Sequence, residues 1–377
     1  MNAAVGPLHL ADDLERALDD AAEPPVSPSA AVATASPSAA VATASPSAAV
    51  ATASPSTAVA ETTVRWRRRE VPRELLGPPT IAGLLRQALV EWALLGLLWT
   101  AMAFAPWWGD LPLLVLVAGR LHALGVILHD ATHMPLRTKT AATRLLEALV
   151  AYPIATTLEA MRYHHLRHHR DSGMAADPYF KPGASSDRRI WLVQWLRGLL
   201  LLPFWSVRAP FGLIASLIPS WRPAYARVFL QDRSGASADA LRNSREVIAC
   251  ARAEFGQVLF QIPLVTAFVL WPAAMAWSYA LPATLTGLLA SYRVLCEHFY
   301  EPTSERSVAT LLRTTRDHHL GLAGALVLAP RNIGCHIVHH IHPQVAQQHL
   351  PALRRWYRAN HPQYPHYPGN ANGPGSA

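Results

Sequence analysis

Charge is scarce in this chain. Lys, Arg, Asp and Glu make up 15% of 377 residues, against roughly 25% in ordinary soluble domains. That deficit argues against a soluble protein with a charged shell. Cysteine is scarcer still: Cys250, Cys296 and Cys335 are the only 3, and they form no CxxC pair. A disulfide framework and a thiolate zinc site are therefore not expected, and no cysteine set suits an iron–sulfur cluster. No GxGxxG stretch stands in a strand–helix context, so the usual nucleotide fingerprint is missing. What the chain has instead is 51% apolar residues and 18 His. Its formal charge is +8 and its pI about 9.7. In so apolar a chain, that excess suggests basic loops beside anionic lipid rather than nucleic acid. The length suits two soluble domains or one membrane-embedded enzyme.

Residues 1–64 are low in complexity. From Ser27 the unit SPSAAVATA runs three times and decays into SPSTAVA. Small Ala, Ser and Pro side chains cannot bury a core, so this region is expected to be a disordered tether. It does not read as a secretory signal, because it lacks a basic start and carries Asp12 and Asp13. A basic cluster follows, Arg65, Arg67, Arg68 and Arg69 around Trp66. Residues 65–360 are expected to form one catalytic domain, and 361–377 a flexible tail in which His361 and His366 are solvated.

Four hydrophobic segments stand out. Trp92 to Trp108, with an apolar lead-in from Ile81, exceeds the ~20 residues a helix needs to cross a bilayer. Leu111 to Leu128 is interrupted only by Arg120 and His122, and Gln257 to Tyr279 and a shorter Leu281 to Cys296 follow. The turns near Asp110 and Ala280 carry no Lys or Arg, whereas the stretch between His133 and Gly256 carries seventeen. The positive-inside rule puts that stretch and both termini in the cytoplasm. Ile190 to Ile218 is apolar but broken by Arg197, Pro203, Arg208 and Pro210, which favours interfacial helices. The expected architecture is an all-α integral membrane protein. Four transmembrane helices form two hairpins, and a cytoplasmic helical cap holds a two-metal site.

Histidine is clustered. His129 and His133 stand four apart at the end of the second span, so both rings share a helical face. In HHLRHH, His165, His168 and His169 fall on one face, with His164 turned about 100° from His165. In HIVHH, the same spacing recurs at His336, His339 and His340. Any one cluster is a weak signal, but three flanking membrane spans are not. Eight imidazoles exceed the four ligands of one tetrahedral zinc and suit two metals, without choosing among Fe, Cu, Zn and Ni.

HDATH, HHLRHH and RNIGCHIVHH resemble the three histidine boxes of the integral-membrane fatty acid desaturase and hydroxylase superfamily. The likeness covers roughly Ile81 to Tyr357 and leaves out the repeat. It implies a non-haem di-iron centre that activates O2, with ligands at His129, His133, His165, His168, His169, His336, His339 and His340. Glu297-His298 resembles the superfamily's EH pair, which makes His298 a ninth ligand. Asp177-Pro178 is similar to its DP element. Ligating imidazoles commonly donate their other N–H to a carboxylate, carbonyl or amide. Asp130, Asp177, Glu297 and Asn332 are the candidates for that supporting role, with Glu159 and Asp317 also near the boxes. His318 and His319 lack the box pattern and are expected at the surface or behind the ligands.

The resemblance implies oxygen-dependent desaturation of an acyl chain carried as a lipid, acyl-CoA or acyl-ACP. A hydroxylase or ketolase of the same superfamily, acting on a lipid or carotenoid, would use the same ligands. No fused cytochrome b5-like HPGG element is present. Electrons are therefore expected from ferredoxin, rubredoxin or cytochrome b5 with its reductase, and the arginine-rich face could steer an acidic donor. In a bacterium the location would be the inner membrane. A His-rich metal transporter is the reading from another class. Transporters place ligands near the bilayer midplane, whereas these boxes sit at span ends.

Overall fold

The computed structural model describes residues 70–135, 139–318 and 320–365; the repeat region, the arginine cluster at 65–69, His319 and His366 lie outside them. Among the described residues the fold is entirely helical, and its one β-bridge pairs His298 with Thr315. The longer helices are α1 (Ile81–Phe104), α2 (Trp107–Thr132), α3 (Ala141–Val150), α4 (Leu158–Asp171), α5 (Arg188–Leu196) and α6 (Leu201–Leu217). They continue with α7 (Arg222–Val228), α8 (Ala238–Asn243), α9 (Arg245–Leu270), α10 (Pro272–Met275) and α11 (Leu281–Glu297). The last four are α12 (Val308–Thr314), α13 (Gly321–Val327), α14 (His336–Ile341) and α15 (Leu350–Asn360).

Helix α1 begins at Thr80, whose hydroxyl accepts the Gly83 amide, and it stops at Ala105 because Pro106 follows. Helix α2 then packs back on α1. Leu121, Leu124 and Leu128 meet Leu84, Ala88 and Leu95, with Leu146 and Val150 of α3 closing the cluster. A second cluster joins α7, α8 and α9 to Tyr163 of α4, and a third joins α14 to α15 and Val71. The outer faces of the long helices are apolar and exposed: Leu97, Phe104, Leu217 and Val269 are each more than 60% exposed. Surface of that kind suits hydrocarbon, not water.

Four helical stretches are long and apolar enough to cross a bilayer: Ile81–Phe104, Trp108–Thr132, Arg188–Leu217 and Arg245–Leu270. Two coincide with expected spans, and Arg245–Leu270 overlaps the expected Gln257 to Tyr279 but begins and ends earlier. The fourth is the segment expected to be interfacial, while α11 alone, at 17 residues, is shorter than a span. One contact hidden in the sequence and one shifted helix end account for the difference. Arg208 does not break its stretch, because it is fully buried and its Nε donates to Glu254 Oε1 at 2.7 Å. The long helix α9 also ends at Trp271, not near Ala280 where a turn is expected. Helical dihedrals persist from Pro272 through a π-turn at Ala276–Ala280 and on to Glu297.

The tail also differs from expectation. His361 is buried and stacks on Tyr357, with ring centroids 5.1 Å apart, and Tyr364 is buried too. Packing against α15 therefore extends to Tyr364 and replaces the solvated start of the tail.

The Arg208–Glu254 pair also reaches the site. Arg208 Nη2 donates to Ala155 O and Thr156 Oγ1 at 3.3 and 3.1 Å, and the Tyr225 hydroxyl donates to Glu254 Oε1 at 2.7 Å. Ala155 has φ 57° in the turn that launches α4. Removing one member leaves the other buried and unpaired, so Arg208→Met should cost about 3–5 kcal/mol. Thermal unfolding in detergent checks this, and the double variant Arg208→Met/Glu254→Met should recover much of the loss.

Candidate metal centre

Each histidine-bearing segment is placed by contacts distant in sequence. Helix α4 is capped twice: Thr157 Oγ1 accepts the Ala160 amide at 3.2 Å, and Glu147 Oε1 accepts the Leu158 amide at 2.8 Å. Arg162 on α4 donates to Thr132 O and Met134 O at 2.8 and 2.7 Å, which ties it to the end of α2. Helix α14 has no capping side chain of its own, and Asp317 Oδ1 supplies one by accepting the Ile337 amide at 2.8 Å. The Tyr364 hydroxyl holds the other Asp317 oxygen. His298 leaves the end of α11 in extended conformation, fixed by bonds from Phe299 N to Thr314 O and from Arg316 N to Glu297 O, both 2.8 Å.

These segments converge. His129, His133, His165, His169 and His339 form one group, and His168, His298, His336 and His340 form another; within each, one ring nitrogen per residue lies within 4.8 Å of all the others. The two HxxHH helices share their histidines reciprocally. Helix α4 sends the i, i+4 pair His165 and His169 to the first group and His168 to the second. Helix α14 sends His336 and His340 to the second and His339 to the first. The groups adjoin, since the rings of His169 and His340 stack at 4.3 Å.

The geometry fits metal ions. Nε2 atoms of His133 and His165, and of His165 and His169, lie 3.0 Å apart. In the second group, His298–His336 is 2.9 Å and His336–His340 is 3.1 Å. Two nitrogens bound about 2.1 Å from one ion are about 3.0 Å apart at a right angle and about 3.4 Å apart at a tetrahedral angle. The spacing therefore lies in the range of nitrogens that share one ion. Burial, then mutual repulsion, holds His165, His169, His336 and His340 well below the usual histidine range. His339 is pushed down to about 3 by burial, then by His168 and Arg293. Neutral imidazoles with free lone pairs are what a metal requires.

The supporting residues divide. Asp177 Oδ1 accepts His168 Nδ1–H at 2.9 Å, while its carboxylate also takes the Gly173 and Tyr179 amides at 3.0 and 2.7 Å. This fixes the His168 tautomer and leaves its buried Nε2, which has no hydrogen-bond partner, facing the second group. Glu297 is fully buried, pairs with Arg293 at 2.6 Å and lies 3.7 Å from His336 Nδ1. Asp130 and Asn332, by contrast, bond to Gln347 and to none of the described imidazoles.

Gln347 itself lies 3.3 Å from His129 Nδ1, a role with no signal in its neighbourhood of sequence. Tyr179, also unforeseen, stacks on His168 at 4.4 Å and bonds His164 Nδ1 at 3.0 Å. Its place two residues after Asp177 was the available clue. His164 and His342 stay outside both groups, the latter against the Tyr357 hydroxyl at 2.7 Å. His318 is not a surface residue, because its Nε2–H donates to Glu297 Oε1 at 3.0 Å and its side chain is buried. Glu159 binds Lys139 instead of a histidine. Asp177→Asn is expected to weaken binding of a divalent ion to the four-imidazole group by about 10–100-fold, as read by Co(II) titration of metal-free protein.

A family model described as fatty acid desaturase matches residues 105–369. No curated protein matches the chain. The matched segment contains every histidine of both groups and helices α2 to α15, so α1 lies outside it. By its span, its apolar helices and its buried histidine groups, the chain belongs to the fatty acid desaturase family of membrane oxidoreductases.

Proposed function

We propose that the protein is an oxygen-dependent desaturase that removes two neighbouring hydrogens from a fatty acyl chain, with its nine grouped imidazoles holding two iron ions. The observation that carries this reading is the sorting of those buried rings into adjoining groups inside the matched segment. No acid or base side chain can deprotonate an alkane carbon, and a di-iron pair supplies the oxidant such a bond requires. The protein's own residues orient and exclude. Asp177 fixes the tautomer of His168, Glu297 stands behind His336, and Gln347 meets His129. Their burial keeps competing water from the centre.

The grouping supports one path through the membrane. His169 and His298 belong to adjoining groups, so an even number of crossings must separate them. Helix α9 and the run from Pro272 to Glu297 provide two. Arg188–Leu217 therefore lies in or along the bilayer without completing a crossing, despite its length. With α1 and α2 as the first hairpin, the basic stretch, both termini and the centre share the cytoplasmic side. An acyl chain can then enter from the bilayer while its head group stays at the surface. Electrons come from a separate ferredoxin, rubredoxin or cytochrome b5 system.

Expression in a heterologous host, followed by mass spectrometry of total lipids, should reveal acyl chains with a new double bond. The His168→Ala variant should reach the membrane and yield none. Iron in the purified protein should approach about two per chain, as the donor set requires. An added hydroxyl or keto oxygen in place of the double bond would assign the hydroxylase or ketolase reaction, and full activity in His168→Ala would sink the metal assignment.

A further inference from the structure

Glu91 stands in α1, about 15 Å along it by the helical rise of 1.5 Å per residue, and it is 3% exposed. A carboxylate inside an apolar span must be paired, and its partner shows what it does. Here two guanidiniums share it. Oε2 accepts Arg120 Nη1 from α2 at 3.1 Å, and Oε1 accepts Arg331 Nη2 at 3.0 Å. Arg331 donates further to the Gln87 side-chain oxygen and backbone carbonyl, both at 3.1 Å. Arg120 also reaches Leu326 O, and His122 Nδ1 lies 3.1 Å from Val327 O. These two carbonyls belong to the last turn of α13, where a helix leaves its acceptors unsatisfied. Helices α1 and α2 together therefore grip the end of α13 and the turn beyond it.

That turn is unusual. Arg331 and Asn332 have φ 57° and 65°, two successive left-handed residues of which neither is glycine. Side chains rarely adopt this conformation, and it persists where the surroundings over-determine it. The chain bends by 76° between α13 and the segment carrying α14. His336 follows only four residues after Asn332. Asn332 Nδ2 also donates to Gln347 O at 3.4 Å, and Gln347 meets His129. The direction α14 takes, and so the aim of three imidazoles, is set at this bend.

We propose that Glu91 and Arg331 are positioning residues for the metal centre: their ion pair holds the left-handed turn, and the turn aims His336 and His340 at one group and His339 at the other. This rests on the reading of the nine histidines as metal ligands. It gives α1, which carries no ligand and lies outside the matched segment, a part in the chemistry. Loss of Glu91 would leave the buried Arg120 guanidinium and the half-buried Arg331 guanidinium without the carboxylate they share. Loss of the Arg331 guanidinium would free the turn while leaving Glu91 paired with Arg120. The four-imidazole group depends on α14 for two of its members and the five-imidazole group for one, so misdirection of α14 should empty the former first.

The test titrates metal-free protein in detergent with Co(II), whose visible spectrum reports its ligands. The wild type should take two ions. Glu91→Gln and Arg331→Ala should take one, with affinity at the four-imidazole group weakened about 10–100-fold, and Arg331→Lys should recover part of it. Alanine resists the left-handed turn as arginine does but lacks the guanidinium, so wild-type affinity in Arg331→Ala would overturn the proposal. Should Glu91→Gln fail to fold, the two Arg331 variants carry the test. A second readout needs no metal: Cys335, beside His336 and 4% exposed, should react with a maleimide at least tenfold faster in Arg331→Ala, located by peptide mass spectrometry. An unchanged rate overturns the clamp, whereas a wild type that binds no Co(II) overturns the functional reading alone.

Discussion

Nine imidazoles must be buried together with their lone pairs aimed inward. A protonated ring in that space would face its neighbours at 3.0 Å in a medium that screens poorly. The rings come from the end of α2, from α4, from the residue after α11 and from α14. Most of the polar architecture answers the problem of holding these pieces at fixed distances. Glu147 and Asp317 are carboxylates borrowed from outside the helices they cap. Each trades exposure to water for control of a helix start.

A common pattern runs through the buried charges. Arg208 and Glu254 reach Thr156, just before α4. Arg331 and Glu91 hold the turn just before α14. Arg293 and Glu297 stand beside His298. The first two pairs each tie a histidine-bearing segment to a long apolar helix, and the third, within α11, stands beside His298 and His336. Buried pairs contribute little net stability compared with apolar residues of the same size, because desolvation offsets their attraction. What they supply is position, since breaking one leaves a charge stranded and no slightly shifted arrangement satisfies it.

Much of this was legible from local pattern. The apolar runs at α1, α2 and α9 match helices long enough to cross a bilayer, and the HxxHH spacing put three rings near one helical face. Legibility failed where a residue's meaning depends on a distant partner. Arg208 reads as a break in an apolar run until Glu254, in another helix, neutralises it. His361 and Tyr364 look like tail until Tyr357 and Asp317 cover them. Gln347 sits between Ala346 and Gln348, which mark nothing, yet it lies 3.3 Å from His129 Nδ1.

By itself the sequence determined which imidazoles travel together, because 3.6 residues per turn is a property of the local backbone. It determined too that the chain is helical and apolar, because runs of side chains without charge leave little other choice. Only the tertiary structure decided how the rings divide into five and four. That division depends on the angle at which α4 meets α14, and the angle is set by contacts such as Glu91 with Arg331, between residues brought together only by folding.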